Sequence, residues 1–202
     1  MNGRIVRIGL MPGFLLIGLI VGGVVPRIAA QTAATTLEAP KWTMGDHWTW
    51  RRGGDVVTAT VVDASAGYLV MEKDGADASF YHYAPDLSST DSHFTQLQFP
   101  MSVGDEWRYT IERPDKKQSA KWIIGRRVEA MDSVTIPAGT FDTFRVAGRH
   151  CNVALNVCGD FVAWYAPQVK NVVKITWTAS NYWPPDLRGM SQVLLSYGVR
   201  AP

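Results

Sequence analysis

Alternation runs through this chain where helical periodicity does not. Asp55–Asp63 (DVVTATVVD), Gly67–Lys73 (GYLVMEK), Ala78–Tyr83 (ASFYHY), His93–Gln98 (HFTQLQ), Glu106–Glu112 (EWRYTIE) and Ala120–Ala130 (AKWIIGRRVEA) carry apolar or aromatic residues at intervals of two, in whole or in part. A period of two places successive side chains on opposite faces of a strand. No long segment repeats its apolar residues at 3.6. The chain therefore reads as all-β and mainly antiparallel, with little helix.

The turns agree. Residues 133–177 hold Ser133–Ile136, a Pro137-Ala138-Gly139 turn, an alternating run from Phe141 to Val146, a returning strand Phe161–Tyr165, a turn at Ala166-Pro167-Gln168, and Val169–Trp177. Proline presets φ at the second turn position and glycine supplies permissive geometry two residues on. This block reads as a small β-meander. Phe144 and Val146 share a face and are its better core candidates. Residues 84–92 (APDLSSTDS), Pro114–Gln118 and Asn181–Asp186 read as turns or loops, and Gln192–Tyr197 as a last strand.

One pattern occurs twice. Gly45-Asp46-His47-Trp48-Thr49-Trp50 and Gly104-Asp105-Glu106-Trp107-Arg108-Tyr109 share Gly-Asp-x-Trp-x-aromatic. Glycine tolerates positive φ, and aspartate bonds to nearby backbone. The Trp and the second aromatic share one strand face. Each copy is expected to be a turn that launches a strand with its aromatics inward, so Asp46 and Asp105 are turn caps before they are candidate acids.

Phe99-Pro100-x-x-Val103-Gly104-Asp105-x-Trp107, then Ile136-Pro137-Ala138-Gly139-Thr140-Phe141-Asp142-Thr143-Phe144-Arg145-Val146, then Trp164-Tyr165-Ala166-Pro167-x-Val169-Lys170-Asn171-Val172-Val173-Lys174 follow in that order. The chain resembles a group of bacterial secreted β domains of uncharacterised function, over roughly residues 41–198. The resemblance implies an export signal and a curved antiparallel sheet akin to the lipoprotein-carrier half-barrels. It supplies no catalytic residues. Gln168 stands where the pattern has glycine, and the two cysteines lie outside it.

Residues 1–30 fit the export reading. Arg4 and Arg7 precede an apolar run from Ile8 to Val25, and Arg27-Ile28-Ala29-Ala30 offers small residues for cleavage between Ala30 and Gln31. The mature chain would then be periplasmic or secreted. The alternative is an uncleaved anchor in the inner membrane. Pro12 and four glycines, Gly13, Gly18, Gly22 and Gly23, weaken that helix. No cysteine follows the run, so lipidation at a new N-terminal cysteine is not expected. Residues 31–40 form a flexible lead-in, and 41–202 a single antiparallel β domain.

Composition changes the picture in two ways. The formal charge is +2, but residues 1–30 hold three basic residues and no acid, leaving 17 basic against 18 acidic residues beyond them. That gives no electrostatic case for nucleic acid. The second is an aromatic load of eight Trp, seven Tyr and seven Phe. Trp48, Trp50, Trp107, Tyr109, Trp164 and Trp177 are the candidates to line a concave sheet face, where bare indoles would bind lipid tails or stack on sugars. The competing reading is a core covered by neighbouring strands.

Candidate chemistry is sparse. Cys151 and Cys158 bracket six residues near a hairpin tip, and in an exported chain they read as a cross-strand disulfide. His150 and Asp160 flank them, but two thiols alone do not make a metal site, and no redox C-x-x-C is present. His82, Asp86, Asp91 and His93 surround the 84–92 loop and would form an acid/base site only if the loop folds back. Ser133, Ser191 and Ser196 lack a nucleophile-elbow context. No cofactor is implied. The leading expectation is a non-catalytic binding or envelope-associated module whose partner is a lipid, a glycan or another envelope protein. A hydrolase at the 84–92 loop and a subunit docking through a sheet edge are the alternatives.

Overall fold

The computed structural model describes residues 36–88, 97–114, 119–179 and 191–200. The expected export segment, Asp91, His93 and the expected Asn181–Asp186 loop lie outside them. Among the described residues ten strands build one antiparallel sheet, curved and not closed: β1 (His47–Arg52), β2 (Asp55–Asp63), β3 (Tyr68–Asp74), β4 (Asp77–Tyr83), β5 (Glu106–Pro114), β6 (Ser119–Ile136), β7 (Gly139–Asn152), β8 (Val157–Ala166), β9 (Asn171–Ala179) and β10 (Gln192–Gly198). Their order across the sheet is β4-β3-β2-β1-β10-β9-β8-β7-β6-β5. The helical content described is a single 3-10 turn, Pro167–Val169. The all-β expectation holds.

The repeated Gly-Asp pattern is a repeated structure. In each copy the glycine has positive φ, 92° at Gly45 and 102° at Gly104. Gly45 N–H donates to the Val61 carbonyl at 2.8 Å and Gly104 N–H to that of Val128 at 2.8 Å. Val61 and Val128 return N–H bonds to the carbonyls of Asp46 and Asp105, both at 2.9 Å. The aspartates accept from the backbone three residues upstream, Thr43 N at 2.9 Å and Ser102 N at 2.7 Å. Each turn thus ties strand entry to the facing strand, near the end of β2 in the first copy and at mid-strand in β6 in the second. The copies open two four-strand units, β1–β4 and β5–β8, which run across the sheet in the same sense with β10 and β9 between them.

β6 departs from the expected pattern. Two pieces, Ala120–Ala130 and Ser133–Ile136, form one strand of 18 residues. A bulge where Val128 and Ala130 meet β7 shifts the alternation. β7 accordingly buries both Phe141 and Thr143, and then Phe144 and Val146. Phe144 and Val146 are core residues, as their shared face predicts. The expected His93–Gln98 strand falls partly outside the described residues; Leu97 is a buried non-strand residue.

The core has two clusters. One gathers Phe99, Met101, Val128, Phe144, Val146, Phe161, Ala163 and Tyr165; the other gathers Trp48, Trp50, Val61, Phe141, Val169, Val173 and Leu194. Burying a side chain such as Phe144 or Leu194 contributes on the order of 2 kcal/mol.

Three indoles fasten the Pro167 turn to the first unit. Trp42, Trp48 and Trp50 donate from Nε1 to the carbonyls of Lys170 (2.9 Å), Val169 (2.8 Å) and Val172 (3.1 Å). Gln168, where glycine was expected, sits exposed within the 3-10 turn. The left-handed position is Lys170, with φ 59°. A lysine there costs about 1–2 kcal/mol of backbone strain. Its side chain offsets that cost: Nζ donates to the carbonyls of Lys41 (2.9 Å) and Arg200 (2.8 Å) and lies 3.5 Å from Asp46 Oδ2.

Candidate functional site

Where the two core clusters meet, the side chains leave a cavity of about 170 Å³. Its apolar wall comes from Trp48 and Trp50 on β1, Ala59 on β2, Val70 on β3, Tyr81 and Tyr83 on β4, and Tyr165 on β8. The alternation of β1 to β4 explains the aromatic wall: Trp48 faces Ala59, Trp50 faces Val57, and Val70 faces Tyr81.

Polar groups complete the wall. Arg52 forms a bidentate pair with Glu72, Nη1 to Oε1 at 2.9 Å and Nη2 to Oε2 at 3.1 Å, and Nε donates to Gln192 Oε1 at 3.2 Å. Burial alone would lower the Arg52 guanidinium; the hydrogen bonds and charge of Glu72 outweigh it and hold it above its usual value. The Tyr165 hydroxyl is buried without a hydrogen-bond partner, and burial pushes its titration upward.

The six aromatics singled out from the sequence do not form one surface. Trp48 and Trp50 line the cavity but are 0% and 5% exposed, with their N–H groups committed to backbone. Trp107, Tyr109 and Trp177 lie on one face of the sheet between β5 and β9. Register places Trp107 opposite Arg126, Arg126 opposite Gly148, Gly148 opposite Phe161, and Phe161 opposite Trp177. Trp164 projects to the other face, where Lys174 Nζ stands 4.7 Å from the ring centre.

The face of Trp107 and Trp177 holds an arrangement the sequence reading missed. Arg126 is 4% exposed, and its guanidinium lies over the Phe161 ring at 4.1 Å. Nη1 donates to the Gly125 carbonyl at 3.0 Å, and Nη2 donates to His150 Nε2. The His150 ring meets Trp177 edge-on at 4.8 Å. Burial, and then the Arg126 charge, lower His150 to about 3, so it accepts as a neutral imidazole. Burial lowers Arg126 to about 10, still a cation at neutral pH. The missed signal was phase: Trp122, Ile124, Arg126 and Val128 occupy one alternation, so the arginine stands in an inward slot.

Cys151 and Cys158 are joined in a disulfide, directly opposite one another on β7 and β8. Their flanking candidates diverge. His150 takes the Arg126 face, whereas Asp160 pairs with Arg149 at 3.5 Å. Among the described residues no group of three or more His, Cys, Asp or Glu could hold a metal ion. Near the 84–92 loop, Asp86 accepts from Ser88 N (2.9 Å) and Oγ (2.6 Å), bonds that lower its pKa. His82 is exposed on β4, on the face opposite Tyr81 and Tyr83.

Residues 89–175 match the family model described as DUF3108-like. The match supports the resemblance to an uncharacterised β-domain family. It contains Arg126, His150 and Phe161 but not Trp48, Trp50 or Arg52. A solved structure from Bacteroides fragilis NCTC 9343, described as an exported protein with a YmcC-like fold, is similar at 14% identity and a TM-score of 0.43, covering 81% of this chain and 100% of that one. A second, described as a lipoprotein from Parabacteroides distasonis ATCC 8503, is similar at 15% identity and a TM-score of 0.46, with the same coverage. No curated protein matches the chain. Among the described residues no helix is long and apolar enough to cross a membrane.

Proposed function

We propose that the chain is an exported, envelope-associated binding module without catalysis, and that its ligand places an apolar or aromatic end in the cavity between the clusters. The observation that carries this reading is the cavity itself, an aromatic wall with the Arg52–Glu72 pair, Gln192 and the unpartnered Tyr165 hydroxyl as its polar groups. Ligand sites commonly combine an apolar wall with a few polar groups that fix orientation.

Size sharpens the ligand class. An apolar cavity of about 150 Å³ accommodates a benzene-sized molecule. The 170 Å³ here therefore receives one ring or a short stretch of chain, not a whole acyl lipid. The remainder of a larger ligand would stay outside.

The test is a thermal-shift and fluorescence titration with indole, benzyl alcohol and hexanol, on the wild type and on Ala59→Leu. The substitution adds bulk to the wall of the cavity. Binding by the wild type that is lost in a folded Ala59→Leu protein is the expected result. Binding unaffected by the filled cavity would sink the proposal.

A second reading rests on β4. It is one end of the strand order, and its Phe80 is 55% exposed. An edge strand with an exposed aromatic suits strand addition by an envelope partner. Cross-linking from Phe80→Cys should then capture that partner, and a monomer that captures none counts against it.

A further inference from the structure

Burying a cation is costly unless an anion or a full set of hydrogen bonds compensates it. Arg126 has neither. Its two hydrogen-bond acceptors, the Gly125 carbonyl and His150 Nε2, are neutral, and the Phe161 face supplies only ring electron density. Among the described residues no carboxylate pairs with it. Its Nε–H is buried and has no acceptor.

A second orphan donor stands beside it. Trp107 and Arg126 are direct cross-strand partners, so their side chains share a face. Trp107 Nε1 is also buried without an acceptor. Buried polar groups almost always find partners, so two unpaired donors on adjacent strands, around an uncompensated charge, require explanation. One group answers all three deficits: an oxyanion, which accepts from both N–H groups and neutralises the guanidinium. Arginine's planar fork suits carboxylate and phosphate. The surroundings are aromatic, with Phe161, Trp177 and the Trp107 ring itself, so the body behind the oxyanion should be apolar.

We infer that Arg126 and Trp107 form a binding site for the oxyanion head of an amphiphile. The site shares no wall residue with the aromatic cavity and stands whether or not that cavity binds. His150 is its positioning residue, fixing Nη2 so that Nε stays available.

The test is calorimetric titration of the full chain with dodecanoate, dodecyl phosphate, dodecanol, acetate and inorganic phosphate, each amphiphile below its micelle concentration. The acid or the phosphate ester should bind at least ~10-fold more tightly than the alcohol, the advantage of a charge-assisted hydrogen bond. The better of the two identifies the head. Arg126→Met should abolish that advantage and leave dodecanol unchanged. Trp107→Phe, which keeps the ring and removes the donor, should weaken the anionic amphiphile about fivefold. Should Arg126→Met not fold, the head-group contrast in the wild type and the Trp107→Phe titration decide. Equal binding of acid, ester and alcohol would overturn the site, as would an Arg126→Met protein that keeps wild-type affinity, or no binding of either anionic amphiphile. Acetate or phosphate binding as tightly as the amphiphiles would overturn the amphiphilic ligand.

Discussion

Asp46 and Asp105 offer a controlled comparison within one molecule. Both cap the same turn, and Asp→Ala removes the same bond from each, that to Thr43 N or Ser102 N. Asp105 is exposed, so its loss should cost about 1 kcal/mol, the net worth of one turn hydrogen bond. Asp46 is 0% exposed and does more. It also accepts from Arg200 N at 2.9 Å and faces the Lys170 ammonium at 3.5 Å. Asp46→Ala leaves that ammonium buried without its counter-ion, and breaking one side of a buried pair costs roughly 3–5 kcal/mol. The two variants should therefore differ by at least ~2 kcal/mol, or roughly 4–8 °C in Tm for a chain of this size. Urea denaturation followed by Trp fluorescence measures both. Adding Lys170→Met to Asp46→Ala should recover part of the loss, because the orphaned charge goes with it. Equal losses for the two single variants, or a double variant weaker than the sum of its parts, would refute the reasoning.

Three further outcomes follow from the same geometry. His150 titrates near 3 when folded and near 6.5 when unfolded; between those values the unfolded chain binds the extra proton, so stability is full above pH 6.5 and falls on acidification. Relative to His150→Gln, the wild type should lose roughly 1 kcal/mol per pH unit between 6 and 4, read from denaturation midpoints; parallel pH profiles would contradict it. Replacing Cys151 and Cys158 by serine opens a link of sequence separation 7 and should cost about 2.5 kcal/mol by loop-closure entropy, measured as a shift in urea midpoint matched by reductant on the wild type. Tyr165→Phe removes a buried hydroxyl that has no partner, so stability should stay level or rise slightly, checked by thermal melts.

What was legible in the sequence was what is decided locally. A Gly-Asp turn is written in four residues: a backbone that needs positive φ and a carboxylate that bonds three residues back. Both copies could be read, and so could the core face of Phe144 and Val146. The bulge at Val128 and Ala130 could not, because it is set by pairing with β7 and leaves no mark in composition. Lys170 and Arg126 were missed for a common reason. Long cations read as solvated, and only tertiary contacts reveal that one is held by two backbone carbonyls and buried Asp46 and that the other lies over an aromatic ring. Gln168 misled because the conformation expected of it belongs to Lys170, two positions on. The aromatics were recognised as inward, yet alternation cannot say which strands become neighbours, so Trp164 was grouped with residues on the opposite face.

β10 imposes an order on how this molecule comes together. It joins β1, near the start of the sheet, to β9, and it is the only strand between the two four-strand units that pairs with the first of them. Its seam with β9 has two register pairs, Gln192 with Ile175 and Val193 with Lys174. The sheet pairing between the units thus waits for β10, and pairing His47 with Gly198 closes a loop of more than a hundred residues. Such non-local pairing is slow and leaves strand edges open meanwhile.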